Sequence, residues 1–209
     1  MPAGVPRHGR PILVIDNGTH YLEQLQRALR LLRVPFRVQP GGTFPGPELL
    51  DAATGIILTG GEVHVFEADQ LEQVAVSCRL ISEAPRPILG LCLGCQLVAH
   101  VFGGTIRPLP VPVDRPVDIE WLASDALNDG LPRVCPMVMA HNDTVTRPGP
   151  GLVTLARSNF GAHEAIRHRT RPIFGVQFHP EVSGDFGRRV LANFWAICDA
   201  EQEIRPQAV

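Results

Sequence analysis

The chain has 209 residues, of which 44% are hydrophobic and 19% are charged, a composition that suits a folded protein with a large core and argues against disorder. Its 19 basic and 21 acidic residues nearly cancel, so neither nucleic acid nor an anionic membrane is expected as the main partner. All of the basic residues are arginine. The lack of lysine excludes a Walker-type phosphate lysine, a Schiff-base lysine and a kinase-type strand lysine.

The length of the chain indicates the number of domains, and its cysteine content indicates the redox compartment. A chain of this length favours one domain, residues 1–209, over two. Five cysteines, an odd number, suit a reducing compartment better than a disulfide framework. The apolar run 12–15 is too short for a signal-peptide core, and the longest apolar stretch, 88–104, is interrupted by Gln96 and His100. We therefore expect a soluble, cytoplasmic protein.

Residues 11–104 alternate between apolar strands and helices. Strands are predicted at 11–15, 34–38, 55–59 and 87–91, and helices at 21–32, 70–82 and 94–102, with a loop rich in Gly and Pro at 41–47. Strands that are apolar throughout, alternating with helices, predict a mainly parallel sheet covered on both faces.

The pattern changes after residue 104. Four prolines fall within 107–121, and because proline cannot donate to a sheet ladder, this segment is predicted to be either an edge excursion or an arm. Later strands, partly antiparallel, are predicted at 134–140, 152–156, 162–167 and 173–178, and a closing amphipathic helix at 186–198.

The segment Gly90-Leu-Cys92-Leu-Gly94 joins a predicted strand to a predicted helix, with a glycine two residues to either side of the cysteine. A sharp turn of this kind exposes its central side chain above the sheet edge. The helix N-terminus favours thiolate over thiol, so Cys92 is a candidate nucleophile. Cys92 and Cys95 also form a CxxC pair, but no second pair of ligands follows at metal-binding spacing, so a metal or redox site is disfavoured.

A nucleophilic cysteine needs a base and a group that orients the base. In Gly175-Val-Gln-Phe-His179-Pro-Glu181 a predicted strand ends in an imidazole and a carboxylate two residues apart, which face the same side in extended backbone. Glu181 can then hold one ring nitrogen while the other faces Cys92. The alternative is that His179 is an ordinary loop histidine.

A third predicted strand ends in Leu58-Thr-Gly60-Gly61, where paired glycines allow backbone N–H groups to approach a ligand. With the N–H of Leu93, such a group could form an oxyanion hole. Paired glycines alone indicate only a turn. They become significant here because this segment, the Cys92 turn and the His179 segment all follow strands predicted to end at the same sheet edge.

The segments LTGG, GLCLGCQ and GVQFHPE, at these separations, resemble the class I (triad) glutamine amidotransferases, from Pro11 to about Cys198. The resemblance implies a flavodoxin-like three-layer α/β fold with a central, mainly parallel sheet and a small antiparallel extension. It implies hydrolysis of L-glutamine through a γ-glutamyl thioester, without metal or cofactor, and ammonia delivery to a separate synthetase subunit, expected to be ATP-dependent. By motif, Cys92 is the nucleophile, His179 the acid/base and Glu181 the orienting group, while Gly61 and Leu93 supply oxyanion contacts.

The segment 139–145 resembles the S-H-x-D-x-V segment of the amidotransferase part of GMP synthase, and TGGEVHVFE resembles that branch's S-G-G-P-x-S-V-x-E loop. On this resemblance, substrate binding is expected from Gly60, Gln96, His141, Asn142 and Asp143. Four positions depart from the branch: Glu62 replaces Pro, His64 replaces Ser, Ala140 replaces Ser, and Cys95 stands where Met, His or Ala is more usual. These departures leave the ammonia acceptor open between nucleotide and specialised metabolism.

The expected partner surface covers 108–116 or 141–143, and the segments at 60–61 and 141–143 are expected to be loops that close on docking. Two other functions remain open. The same triad could serve a stand-alone γ-glutamyl hydrolase. A catalytically silent scaffold is disfavoured because all three catalytic positions are intact.

Overall fold

The computed structural model describes residues 9–204, so the predicted domain of residues 1–209 extends beyond the described part at both ends. The strands are β1 (Ile12–Asp16), β2 (Phe36–Pro40), β3 (Gly55–Leu58), β4 (Ile88–Leu91), β5 (Thr105–Trp121), β6 (Val134–Arg147), β7 (Leu152–Arg157), β8 (Ala165–His168) and β9 (Ile173–Val176). The α-helices are α1 (Leu22–Leu31), α2 (Pro47–Ala52), α3 (Ala68–Leu71), α4 (Ala75–Glu83), α5 (Leu93–Val101) and α6 (Gly184–Ile204).

Within residues 9–204 the strands form one nine-stranded sheet in the order β2-β1-β3-β4-β9-β8-β7-β5-β6. The pairs from β2 to β9 are parallel, and the pairs from β9 to β6 are antiparallel. The parallel half has the strand order of a flavodoxin-like fold, which confirms the predicted fold class. The sheet is mixed and not mainly parallel as predicted, because the antiparallel extension is not small: it contains β5 with 17 residues and β6 with 14.

Both faces of the parallel half are buried under helices. Ile12 and Val14 of β1 pack in one apolar cluster with α1 and α6, whereas Leu13 and Ile15 pack in a second cluster with α4 and α5. Successive side chains of a strand point to opposite faces, so a strand buried on both faces must be apolar at every position. This burial accounts for the apolar runs from which the central strands were predicted.

The predicted proline-rich arm is instead a strand. β5 pairs with β6 along most of its length, with a register shift between Pro108 and Val113 that takes up Pro110 and Pro112. It pairs with β7 only at Glu120 and Trp121, so most of β5 has one open edge. Prolines are tolerated on such an edge and at bulges because no N–H is needed there.

The helix boundaries also differ from the prediction in three places. The predicted helix 70–82 is divided into α3, a 3₁₀ turn at Glu72–Val74 and α4. The short helix α2 was not predicted. It begins at Pro47, the last residue of the predicted loop 41–47, and proline is favoured at the first position of a helix. α6 extends beyond both ends of the predicted helix 186–198.

Candidate active site

Cys92 lies between β4 and α5, at the carboxyl edge of the parallel strands. Its backbone is left-handed, with φ +49° and ψ −103°, a conformation that non-glycine residues rarely adopt. A Cβ atom on Gly90 would collide with the backbone of Gly94, and a Cβ on Gly94 would lie 2.5 Å from the carbonyl oxygen of Leu58. Because α5 packs directly on β3 and β4, only glycine fits at these two flanking positions. Small residues at these positions are typical of the sharp turn called a nucleophile elbow.

His179 and Glu181 follow β9 at the same edge. The His179 Nδ1 atom lies 2.9 Å from Glu181 Oε1, and the two side chains are only 4% and 1% exposed. Burial alone would lower the pKa of His179, but hydrogen bonding to Cys92 and Glu181 outweighs burial and raises that pKa to about 10. The imidazole therefore holds a proton beside the Cys92 sulfur.

Gly60 packs against both Cys92 and His179. A Cβ placed on Gly60 would lie 3.2 Å from His179 Cε1 and 3.5 Å from Cys92 Cβ. The ring of Tyr21 also contacts the His179 ring edge-on, with 4.7 Å between centroids. The three residues predicted as nucleophile, base and orienting group are thus brought together in the fold.

The two predicted oxyanion donors flank the same space. Leu93 is the first residue of α5, and Gly61 packs against the Leu93 side chain and the Asn17 carbonyl oxygen, where no side chain would fit. Within residues 9–204 neither backbone N–H has an acceptor. Free N–H groups at a helix start and at a glycine turn are suited to bind an oxyanion.

Gln96, His141 and Asp143 form a buried polar group that lines the same cavity as Cys92. The Nε2 atom of Gln96 donates to the Asp143 carbonyl oxygen at 3.0 Å, and His141 Nδ1 donates to the same oxygen at 2.9 Å. Burial lowers the pKa of His141, which favours its neutral form. Asn142, in contrast, is exposed.

The predicted loop at 141–143 is instead part of β6. Val113 of β5 faces His141 in the ladder, and strand β6 also contacts the catalytic residues through its backbone. The Val138 carbonyl oxygen accepts from the His179 N–H at 2.8 Å, and the Ala140 carbonyl oxygen lies 3.7 Å from Cys92 Sγ. A residue held in this ladder is not free to act as a closing loop.

An open cavity of about 620 Å³ joins these groups. Eight of the ten predicted site residues line it, and Gly60 and Glu181 are the two that do not. The eight are Gly61, Cys92, Leu93, Gln96, His141, Asn142, Asp143 and His179.

Several residues of the site were not predicted from the sequence. Thr19 and Tyr21 line the cavity, and they follow the Asp-Asn-Gly turn at the end of β1, whose position at the carboxyl edge was the available signal. Gln177 contacts both Cys92 and Gln96 and is completely buried.

Within the described residues, no group of three or more His, Cys, Asp or Glu side chains could hold a metal ion. Over the same range, none of the helices combines the length and apolarity needed to cross a bilayer.

A family model described as glutamine amidotransferase class-I matches residues 13–198. The chain belongs to the class-I glutamine amidotransferases. It is 33% identical over 190 residues to a subunit of the glutamine-hydrolysing GMP synthase of Methanocaldococcus jannaschii, covering 90% of this chain and 97% of that protein. It is 36% identical over 188 residues to the equivalent GMP synthase subunit of Pyrococcus abyssi, covering 90% and 98%.

Solved structures share the fold of this chain. A crystal structure of a candidate GMP synthase subunit from Thermoplasma acidophilum matches with a TM-score of 0.86 at 30% identity, covering 95% of this chain and 98% of that chain. A glutamine amidotransferase from Thermotoga maritima shares the fold, with a TM-score of 0.74 at 20% identity over 96% of this chain and 88% of that chain.

Two departures of this amidotransferase from the GMP synthase pattern form contacts at the cavity mouth. His64 Nδ1 lies 2.6 Å from Asp143 Oδ2, and Glu62 Oε1 lies 2.8 Å from His20 Nε2. Each pair joins the segment after β3 to another part of the cavity wall. The replaced positions thus connect that segment to Asp143 on one side and to the segment after β1 on the other.

Proposed function

We propose that this amidotransferase is the glutamine-hydrolysing subunit of a two-protein enzyme of the GMP synthase type. The observation that carries the proposal is the group formed by Cys92, His179 and Glu181, with the buried ion pair of the last two at one wall of the cavity. The names of the relatives support a separate synthetase subunit, expected to be ATP-dependent, as the ammonia acceptor.

In the proposed reaction the Cys92 thiolate attacks the side-chain amide carbon of L-glutamine. The carbonyl π electrons move to oxygen, and the N–H groups of Gly61 and Leu93 stabilise that oxyanion. His179 gives its proton to the amide nitrogen, the C–N bond breaks, and ammonia leaves a γ-glutamyl thioester. Water then loses a proton to His179 and attacks the thioester, which releases glutamate and returns the Cys92 thiolate and the imidazolium.

Gln96 is proposed to bind the substrate through its side-chain oxygen, since its Nε2 atom is already occupied by the Asp143 carbonyl oxygen. Gly60, His141, Asn142 and Asp143 complete the proposed substrate subsite. The Asp143 Oδ1 atom is buried without a partner among the described residues, which leaves one carboxylate oxygen for a donor of the substrate.

The test is the glutaminase activity of Cys92→Ser and Cys92→Ala. We expect both variants to lose ammonia release from glutamine while keeping the circular dichroism spectrum of the parent, because a change of this size at a cavity wall costs little packing. Cys198→Ser, at a buried cysteine that does not line the cavity, is the matched control and should keep activity. Substantial turnover by the serine variant would exclude Cys92 as nucleophile.

A second function is favoured by the size of the cavity, which at about 620 Å³ has room for more than one glutamine molecule. The chain could then hydrolyse γ-glutamyl peptides on its own. Assays with γ-glutamyl peptides and with free glutamine distinguish the two functions. A preference for the peptides, unchanged by a synthetase, would favour the stand-alone hydrolase.

A further inference from the structure

Gln177 occupies a position between the nucleophile and the proposed substrate-binding glutamine. It is 0% exposed and lies immediately after β9, where its backbone N–H donates to the Glu164 carbonyl oxygen at 2.8 Å. Its side-chain Nε2 lies 3.6 Å from Cys92 Sγ, and its Oε1 lies 3.3 Å from Gln96 Nε2. Hydrogen bonds to sulfur are longer than those to oxygen because the sulfur atom is larger.

The direction of these hydrogen bonds is set by a backbone carbonyl. The Asp143 oxygen can only accept, so the Gln96 atom 3.0 Å from it must be the amide nitrogen. The same nitrogen then donates to Gln177 Oε1. Consequently the amide nitrogen of Gln177, a donor, is the atom that faces Cys92.

We propose that Gln177 is a further catalytic residue, whose side-chain amide donates a hydrogen bond to the Cys92 sulfur and stabilises the thiolate. The proposal rests on Cys92 being the nucleophile of the proposed function. A neutral amide does not exchange its proton during the reaction, so it stabilises the thiolate before attack and again when the thioester is hydrolysed. His179, in contrast, must release its proton in between.

The titratable groups that interact with Cys92 come from three other segments. They are His179 after β9, Tyr21 before α1 and Cys95 within α5. Gln177 differs from all of them because it carries no charge at any pH. Its removal therefore changes the environment of the sulfur without adding or removing a titrating group.

The test compares Gln177→Met with Gln177→Glu. Methionine keeps the length of the side chain and removes the donor, whereas glutamate keeps the shape and replaces the donor with an acceptor. The readout is the rate of Cys92 alkylation by iodoacetamide between pH 5 and pH 10, with the modified cysteine located by mass spectrometry. This readout needs neither glutamine nor a synthetase.

We expect the pH of half-maximal alkylation to rise by about one unit in Gln177→Met, since a hydrogen bond to a charged group contributes on this scale. At pH values below both midpoints, alkylation should then be about tenfold slower. Gln177→Glu should shift the curve further, because a carboxylate disfavours a neighbouring thiolate. Gln24→Met, at an exposed glutamine of α1, is the matched control and should leave the curve unchanged.

Unfolding curves monitored by circular dichroism show which variants are folded, and if one fails to fold, the other decides. A folded variant with an unshifted alkylation curve would overturn the proposal, even if its glutaminase activity fell. A shifted curve in a chain whose parent releases no ammonia from glutamine would support the role of Gln177 and count against the proposed function.

Discussion

Within the pair of His179 and Glu181, the two side chains have different tasks. In the proposed reaction the imidazole transfers the proton, whereas the carboxylate, 2.9 Å from Nδ1, keeps the ring oriented. Glu181 Oε2 has no hydrogen-bond partner among the described residues. Within those residues, the hydrogen bond to His179 is therefore the contact that fixes this carboxylate.

This division of roles predicts unequal losses of glutaminase turnover. We expect His179→Ala to lower kcat by about 10²–10⁴-fold, the usual contribution of general acid–base catalysis. Glu181→Gln should cost less, because glutamine can still accept a hydrogen bond from Nδ1. The measurement is steady-state ammonia release, with His163→Ala as a control outside the cavity. Equal losses would show that the roles are assigned wrongly.

Glu164 is a second buried carboxyl group, and the proposed chemistry does not use it. It is 0% exposed, Ser158 donates to its Oε1 atom, and burial raises its pKa to about 7. Since the unfolded chain loses this proton at lower pH than the folded chain, ionisation favours unfolding. Stability contributed by the protonated form is therefore present below the unfolded value of 4.5 and lost as the pH rises through about 7.

We expect Glu164→Gln to remove this pH dependence. Between pH 5 and pH 8 the parent should lose roughly 2 kcal/mol of unfolding free energy relative to the variant, from the size of the pKa shift. Urea unfolding at both pH values measures the difference. Glu48→Gln, at an exposed carboxyl of α2, is the control. A parent and variant with parallel stabilities would mean that Glu164 ionises normally in the folded protein.

At the scale of elements, the start of α5 lies close to the sheet because Gly90 and Gly94 have no side chains that would separate them. Gly94 contacts the Leu58 carbonyl oxygen of β3, and Cys92 holds its left-handed backbone only because α5 can approach the sheet this closely. The helix start, the nucleophile and the Leu93 N–H therefore move together.

We expect Gly94→Ala to push α5 away from β3 and to lower both stability and glutaminase activity. Overpacking of this kind typically costs about 1–3 kcal/mol. Gly42→Ala is the matched control, because its added Cβ would have nothing within 4 Å. The measurements are thermal unfolding and ammonia release. A Gly94→Ala variant with the stability and activity of the parent would show that the contact with the Leu58 carbonyl oxygen can relax at no cost.

At the scale of the whole molecule, the mouth of the cavity is built from segments far apart in the chain. Exposed apolar side chains lie next to two of these segments: Phe66 beside the segment after β3, and Val111 in the β5 bulge, at 44% and 72% exposure. Since 141–143 belongs to strand β6, we expect the segment after β3 to be the loop that moves on docking. A synthetase that covers Phe66 and Val111 would hold this segment and the Gly61 N–H in place.

We therefore expect glutaminase turnover to be slow in the isolated chain. It should rise by about 10²–10³-fold, the contribution of one oxyanion donor, when a GMP-synthase-type ATP pyrophosphatase and its nucleotide substrates are added. Val111→Glu should weaken this stimulation and leave the basal rate unchanged, and Leu31→Glu, at an exposed residue of α1, should affect neither. A basal rate that is already fast and insensitive to the synthetase would contradict the coupling.

Local sequence signals were sufficient for the strand-to-helix turn at Cys92 and for the histidine and carboxylate at 179 and 181. In each case the interacting residues lie within a few positions, so spacing and backbone geometry determine their relation. The placement of all three strand ends at one edge also followed from the alternation of strands and helices, because parallel strands share a carboxyl edge.

Only the tertiary structure decided which distant residues support this centre. Gln96 and Gln177 are 81 residues apart, and His64 and Asp143 are 79 apart. Neither pair follows from a local pattern. Gln96 and Gln177 meet because β4 pairs with β9, whereas His64 and Asp143 meet because β6 borders the cavity. The prediction for the proline-rich β5 was wrong for the same reason: whether a proline is tolerated depends on which strand edge faces a neighbour, and chain order does not specify that neighbour.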